Sequence, residues 1–386
     1  MIKVLDTTLR EGEQTPGVYF DVHIKVAIAE LLDEIGIDII EAGHPMVTEE
    51  IHHSVQEIAG RHLNAKIGAH ARSLKTDVDL ALECGVQFLG IFYCVSDERL
   101  NDHSKNLNQA LQQISDVITY ARTQNPDLTI RYTPEDAVRS PFENVVNAAA
   151  AAVTAGANII SIADTTGFMI PGTKNNMFDY VQRLKSKLAQ ENLNPMIAVH
   201  CHNDRGLALA NALDGIRGGA EIIDASVLGL GERAGIVDLA TLLAILVQDF
   251  HAATRFNLKR IPDLYRLVSK YSRVPVPVNF PVTGENAFTH CAGVHTQAAL
   301  KNPLHYQSLD PEIVNRTSKI SLDHMSGLSA VLFSLNQIGA TNLDREFALR
   351  VLNKVKSVGQ RGRTVDLAEL QYIVKYLREH PKENIF

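Results

Sequence analysis

Val4-Leu5-Asp6-Thr7-Thr8-Leu9-Arg10-Glu11-Gly12-Glu13-Gln14 opens the chain as an apolar, β-branched run that turns polar and charged within a few residues. A strand reads this way when it ends inside a polar site. Gly12 allows a sharp exit, and Arg10, Glu11 and Gln14 are expected to emerge together at the strand's carboxyl end. One cation, one carboxylate and one amide converging there could hold a carbonyl and a metal. The same residues also fit a surface loop with an Arg10–Glu11 salt bridge, so the rest of the chain has to decide.

Working outward, strand-like and helix-like patterns alternate at a steady pitch. Strands are predicted at 3–9, 38–43, 66–70, 88–92, 129–132, 159–163, 196–201 and 222–225, with helices at 23–35, 48–59, 77–83, 107–123, 143–155, 176–189, 207–217 and 237–250. Eight β-then-α units in about 250 residues predict an α/β fold, a (β/α)8 TIM barrel. A doubly wound open sheet is the alternative, weakened because no G-x-G-x-x-G follows the first strand. The pattern breaks at Val274-Pro275-Val276-Pro277-Val278-Asn279-Phe280-Pro281, a stiff proline-rich strap. Helices are predicted beyond it at 327–337, 344–358 and 367–379. The expected organisation is a catalytic barrel over 1–270, a linker and lid over 271–320, and a small, mainly helical C-terminal region over 321–386.

The totals narrow the function classes. At 386 residues one ordinary core is not enough, so a large domain plus a smaller one is expected. Hydrophobic residues at 45% and charged residues at 21% are those of a soluble globular protein. A net charge of -7 argues against nucleic acid or an anionic membrane as partner. The stretch 145–162 is the most apolar, yet Asn147, Thr154, Gly156 and Asn158 interrupt it, giving a buried helix and strand rather than a membrane span. The cysteines (Cys84, Cys94, Cys201 and Cys291) lie far apart with no C-x-x-C, which points to a reducing cytoplasm rather than to disulfides or structural zinc. The N-terminus runs straight into a strand and leaves no room for a signal peptide.

In a barrel the strands' carboxyl ends share one face. Here they bring Arg10 and Glu11, Glu41, His70 and Arg72, Arg131 with Thr133 and Glu135, Asp164 with Thr165, and His200 with His202. His200-Cys201-His202-Asn203-Asp204 is the strongest local pattern, because alternation in a strand puts residues i and i+2 on one face and both imidazoles can reach one cation. Neutral imidazole suits zinc, manganese or iron, and a carboxylate such as Glu11 would complete a site with open positions. An isolated H-x-H is also satisfied by hydrogen bonds, and Asp164-Thr165 by a turn. Gly229-Leu230-Gly231-Glu232-Arg233-Ala234-Gly235 is open enough for backbone to approach a ligand but lacks the Lys of a phosphate loop.

The Asp6–Gln14 run, the H-C-H-N-D run and the G-L-G-E-R-A-G loop together resemble the acyl-CoA condensing enzymes of the homocitrate/2-isopropylmalate/citramalate synthase family, which are metal-dependent TIM barrels. The resemblance spans nearly the whole chain, with the motifs in the family's order. It implies that Glu11, His200 and His202 hold a divalent metal (zinc, manganese or magnesium) and that acetyl-CoA is the co-substrate. It also implies that Arg10 polarises the keto oxygen of a 2-oxo acid, that Gln14 and Thr165 orient that substrate, and that Glu41 and His70 belong to the same binding set. Phe288-Thr289-His290-Cys291-Ala292-Gly293-Val294-His295 resembles the family's F-T-H-x-A-G-[IV]-H segment. There His295 is the catalytic histidine, working with Glu135 and Tyr306 on the acetyl-CoA methyl proton. In the family this segment lies over the neighbouring subunit's active site, which implies a homodimer.

Three positions resemble the members that take 2-oxoglutarate. Glu11 stands where 2-isopropylmalate synthases read Asp, and Ile236 stands where they place Asn. Arg131-Tyr132-Thr133-Pro134-Glu135-Asp136 resembles an R-F-S-x-E-D run whose Arg and Ser take the distal carboxylate, a part that falls here to Arg131 and Thr133. Arg131 equally fits an internal ion pair with Glu135, Asp136 or Glu41. Within the family the alternatives are 2-oxoisovalerate and pyruvate as acceptors. Cys291 replaces a usual Lys, Ala234 matches the isopropylmalate type, and Gly90 aligns with an Asp associated with lysine feedback. A carbon–carbon lyase of the hydroxymethylglutaryl-CoA type would carry a Cys in the loop that reads Gly231-Glu232-Arg233 here. A non-catalytic homologue would be expected to have lost a ligand or a base, and none of Arg10, Glu11, His200, His202, His295 or Tyr306 is missing. The expected reaction is acetyl-CoA, 2-oxoglutarate and water giving (R)-homocitrate and CoA.

Overall fold

Eight parallel strands pair in sequence order and close into a barrel, the first returning to the eighth. They are β1 (Lys3–Asp6), β2 (Ile39–Gly43), β3 (Lys66–Arg72), β4 (Phe88–Cys94), β5 (Thr129–Glu135), β6 (Ile159–Asp164), β7 (Met196–Cys201) and β8 (Ile222–Ala225). The helices between and after them are α1 (Val22–Ile35), α2 (Glu49–Ala59), α3 (Lys75–Glu83), α4 (Asp97–Asp102), α5 (Leu107–Gln124), α6 (Phe142–Thr154), α7 (Met177–Gln190), α8 (Ala208–Gly218), α9 (Leu239–Gln248) and α10 (Ile261–Ser272). This computed structural model describes residues 2–250, 255–299 and 301–381; residue 300 of the predicted lid and 382–386 of the predicted C-terminal region lie outside them. The chain divides into two compact units, Met1–Pro275 and Val276–Phe386.

β1 is shorter than predicted, and its own side chains are the reason. Asp6 Oδ1 accepts the Thr8 N–H at 2.9 Å. The Thr7 carbonyl accepts from both Arg10 N and Gly12 N, at 3.1 and 3.2 Å. Backbone groups that a longer strand would offer to its neighbours are therefore used in a turn. β3, β4 and β5 run further than predicted because they go on pairing with one another, through Arg72 with Phe92 and Cys94 with Glu135. Helices α4 and α10 were not predicted. Ser96 caps the first by accepting the Arg99 N–H, and the second begins at Ile261-Pro262, where proline suits a helix's first turn.

The barrel interior changes character along its axis. Leu5, Ile39, Phe88, Ile159, Ala198 and Ile222 form an apolar layer. Two residues further on stand Glu41, Gly90, Ser161, His200 and Asp224 on the same face of their strands, with Thr7 just past the end of β1. The carboxyl half of the barrel is thus lined with polar groups that the period-2 pattern directs inward.

Asp6 has the opposite parity, facing the helical layer, and is fully buried. Burial pushes its carboxyl up to about 7, against two hydrogen bonds from Thr8 and with the charge of Glu41 adding to the rise. Because that value lies above the ordinary 3.8, the fold prefers the protonated acid. The stabilisation this gives is present below about pH 4 and is lost as the pH rises through about 7. Urea unfolding should show it: relative to wild type, Asp6→Asn gains stability between about pH 4 and about pH 8. A difference that stays constant with pH would mean that Asp6 is ionised throughout.

The second unit contains a two-residue parallel pairing, β9 (Thr289–His290) with β10 (Lys319–Ile320), and helices α11 (Gly293–Ala299), α12 (Leu328–Gln337), α13 (Arg345–Gly359) and α14 (Leu367–Glu379). The last three enclose their own core, with Val331, Leu335, Val351, Val355, Leu370 and Leu377 buried in it.

Candidate active site

The turn that cuts β1 short delivers Arg10 and Glu11 to the carboxyl mouth of the barrel, where a cavity of about 310 Å³ opens. Arg10 donates from Nε to Glu41 Oε2 at 2.6 Å and from Nη1 to Glu11, so the suspected surface pair is real but buried and shared with a second carboxylate. Glu11 also accepts the Glu232 N–H at 3.1 Å. The Gln14 amide, oriented so that both its atoms are satisfied, donates to both Glu11 oxygens at 3.0 and 3.1 Å. The glycine-rich loop has to come close for this: a Cβ on Gly231 would stand 3.1 Å from Glu11 Cγ.

His200 and His202 lie at the end of β7 with their Nε2 atoms 3.2 Å apart. Ligand atoms of Glu11, His200 and His202 all fall within 4.8 Å of one another. His200 donates from Nδ1 to Asp224 Oδ2 at 3.0 Å, which leaves its Nε2 lone pair facing the site, a carboxylate–histidine arrangement common behind metal ligands. Burial, with the charge of His200 beside it, pushes His202 down to about 4, so this ring is neutral and has a lone pair to offer. Burial alone would raise the Glu11 carboxyl, but Arg10, the two imidazoles and the Glu232 N–H outweigh it and bring it to about 2. Two imidazoles and a carboxylate converging in a buried space could hold one cation, and one carboxylate with two nitrogens suits a divalent transition metal or zinc.

Deeper in, Arg131 is 2% exposed and both ends of its guanidinium are occupied. Nη1 donates to both oxygens of Asp224, at 3.0 and 2.8 Å, and Nη2 donates to Glu41 Oε1 at 2.9 Å. Of the internal partners weighed from sequence, Glu41 is the one the structure brings to Arg131, while Glu135 accepts from Arg99 and Asp136 from Arg139. Burial would raise Glu41 too, but Arg10, Arg131 and His70 hold it well below the carboxylate range. A continuous chain of charge-assisted bonds thus runs from Arg10 through Glu41, Arg131 and Asp224 to His200. Gly90 lies under it, where a Cβ would stand 3.2 Å from Glu41 Oε1 and from His70 Nδ1. His70 stacks on Phe92 with ring centroids 4.7 Å apart and is pushed down to about 4 by burial, then by Arg10.

Among the described residues several buried polar atoms lack a partner, including Arg131 Nε, Thr133 Oγ1, Ser161 Oγ and His202 Nδ1, and all four of these residues line this cavity. Such atoms are uncommon in a finished interior, and these four belong to residues around one cavity. Gln14, Thr165 and Glu135 line the same cavity. Thr165 Oγ1 accepts the Asp136 N–H at 2.9 Å. His295 and Tyr306 belong to the second unit, where their rings lie 4.3 Å apart and both are exposed. Asp224, Ser161, His44 and Asp77 were missed from sequence. A carboxylate in the apolar run Ile222-Ile223-Asp224-Ala225 was the clue to the first.

The chain matches a family model described as HMGL-like over residues 1–268 and a second, homocitrate synthase post-HMGL domain-like, over 282–363. It is 42% identical over 355 residues to a homocitrate synthase of Pyrococcus horikoshii, covering 92% of this chain and 94% of that one. It is 39% identical over 396 residues to one of Saccharolobus islandicus, covering 100% and 84%. Among solved structures, an HMG-CoA lyase of Bacillus subtilis superposes with a TM-score of 0.60 at 21% identity, over 72% of this chain and 95% of that one. The carboxyl transferase domain of Rhizobium etli pyruvate carboxylase does so at 0.56 and 14%, over 94% and 61%. These two likenesses concern the fold alone. Among the described residues, no helix is long and apolar enough to cross a membrane.

Proposed function

Because the chain belongs to the homocitrate synthase family of HMGL-like enzymes, we propose that it condenses acetyl-CoA with 2-oxoglutarate and hydrolyses the thioester, giving (R)-homocitrate and CoA. The acceptor assignment rests on one observation: Arg131 and Thr133, which line the cavity together with Arg10, Glu11, His200 and His202, each keep a buried donor without a partner, Nε and Oγ1. An acceptor with a carboxylate at its far end gives those donors their partner. An isopropyl group would leave them bare in a closed site.

Each residue's part follows from its surroundings. Glu11, His200 and His202 would hold zinc, manganese or magnesium, which when bound supplies Lewis-acid polarisation of the acceptor's keto group. Arg10, fixed by Glu41 and Glu11, keeps Nη2 for the keto oxygen and donates most strongly as that oxygen becomes an alkoxide. Gln14 orients Glu11, and Thr165 lines the place where the acceptor is held. His295, with Tyr306 against its ring and Glu135 as partner, takes a proton from the acetyl methyl. The resulting enolate carbon bonds to the keto carbon, and water then cleaves the thioester, releasing CoA as the thiol. In this reading His295 and Tyr306 come from the second unit of a partner copy, so the working form is a homodimer.

The test is CoA release from acetyl-CoA with 2-oxoglutarate, 2-oxoisovalerate, pyruvate and oxaloacetate, using metal-loaded protein. We expect 2-oxoglutarate to give the highest kcat/KM. A higher value for 2-oxoisovalerate would place the chain among the isopropylmalate-forming enzymes, and no CoA release with any acceptor would remove the condensing reading.

A further inference from the structure

One acid–base pair in the cavity wall has no part in the reaction described above. His44 follows β2 directly and lines the cavity, with its side chain 18% exposed. Its Nε2 lies 3.1 Å from Asp77 Oδ2. Asp77, buried at the start of α3, is itself gripped by Arg72, which donates from its backbone N–H at 3.1 Å and from Nε and Nη2 at 2.8 and 2.9 Å. Burial would raise the Asp77 carboxyl, but Arg72 and His44 hold it below its ordinary value, so it is an anion and His44 Nε2 carries a proton toward it. Among the described residues Nδ1 has no protein partner. A surface histidine needs no such anchoring; a ring clamped at one nitrogen and free at the other is built to present that other nitrogen.

The barrel's order says what it faces. β3 and β7 stand on opposite sides of the closed sheet. His200 on β7 and His202 just past its end form the candidate metal cluster with Glu11, whereas His44 lies beside β3, its ring edge-on to His70 at 5.9 Å. An acceptor whose keto group sits at the cluster and Arg10, and which extends across the mouth, brings its far end to the wall of His44, His70 and Thr133. His70 cannot supply a cation there, since burial and Arg10 keep it neutral and its Nδ1 faces Glu41. Both Nη atoms of Arg131 are already taken by two carboxylates, which leaves it Nε as a donor but no uncompensated charge. With Asp77 at one nitrogen and a ligand carboxylate at the other, both nitrogens of the His44 ring face acceptors, the arrangement in which each donates.

We propose that His44, held by Asp77, is a specificity-determining residue that donates a hydrogen bond from Nδ1 to the distal carboxylate of the acceptor. This rests on the acceptor being a 2-oxo dicarboxylate, and the test separates the two claims. Calorimetric binding of 2-oxoglutarate to the metal-loaded protein, and steady-state kinetics with 2-oxoglutarate and pyruvate, are measured for wild type, His44→Phe and His44→Gln. His44→Phe should raise Kd and KM for 2-oxoglutarate about 10- to 100-fold, with kcat little changed and kcat/KM for pyruvate unchanged. His44→Gln, which keeps a donor at similar reach, should recover part of that loss. Unchanged 2-oxoglutarate binding in His44→Phe overturns the assignment. So does an equal loss for both acceptors, or a Gln variant no better than Phe, because either marks a packing role. A wild-type protein that prefers 2-oxoisovalerate or pyruvate defeats the dicarboxylate reading itself, before any variant is compared.

Discussion

Arg131→Ala is expected to destabilise the barrel as well as abolish its use of 2-oxoglutarate. The guanidinium is the shared cation of Glu41 and Asp224, both buried. Without it Asp224 keeps only His200 and Glu41 keeps Arg10 and His70, so two carboxylates must be held in the barrel with too little positive charge. Breaking one buried pair by removing a partner costs about 3–5 kcal/mol. Thermal unfolding should therefore fall by roughly 10 °C. A variant as stable as wild type would show that Arg131 is not the cation of this network. It follows that Arg131→Ala cannot by itself report on substrate recognition. Thr133→Val can: its hydroxyl is buried without a partner, so removing it should leave unfolding unchanged or slightly raised. At the same time it should raise KM for 2-oxoglutarate about 10-fold and leave pyruvate unaffected. Equal effects on both acceptors would remove Thr133 from the distal end.

Glu11→Gln should empty the metal cluster while leaving the fold in place. The amide is nearly the same shape and can still accept the Glu232 N–H, and Arg10 keeps Glu41. What is lost is the anion among the three donors. Altering residues that merely support metal ligands costs about 10- to 100-fold in affinity, so loss of a charged ligand should exceed about 100-fold. Elemental analysis after gel filtration should find metal in wild type and little in the variant, and CoA release should fall with it. Asp224→Asn, which weakens the support behind His200 and also one of the two anionic partners of Arg131, should lie in between. A Glu11→Gln protein that retains stoichiometric metal would mean that the ion is bound elsewhere.

Much of this architecture can be read without coordinates, because it is local. Repeated strand and helix periods at 3–9, 38–43 and onward suffice for a barrel of eight units, and the i, i+2 spacing of His200 and His202 places both rings on one face whatever surrounds them. Strand ends in a barrel must converge, so Arg10, Glu11, Thr165 and the two histidines can be assigned to one mouth. Even the switch from Ile39 to Glu41, or from Ile222 to Asp224, announces that the barrel interior becomes polar toward its carboxyl end.

Pairing across that interior was not legible. Arg131 on β5 and Asp224 on β8 are not neighbours in the sheet; they meet through the middle of the barrel, and the register that aligns them depends on every strand between. His44 and Asp77 belong to successive units and touch only because β2 and β3 lie side by side. The length of β1 was decided by Asp6 and Thr7 competing for backbone bonds, a contest that periodicity does not report. Sequence by itself therefore determined the barrel and the residues at its mouth, through periodicity and strand parity. Only the tertiary structure decided which charges share a partner and which donors are left free for a ligand, because long-range ion pairs depend on distances across the closed sheet that no local pattern encodes.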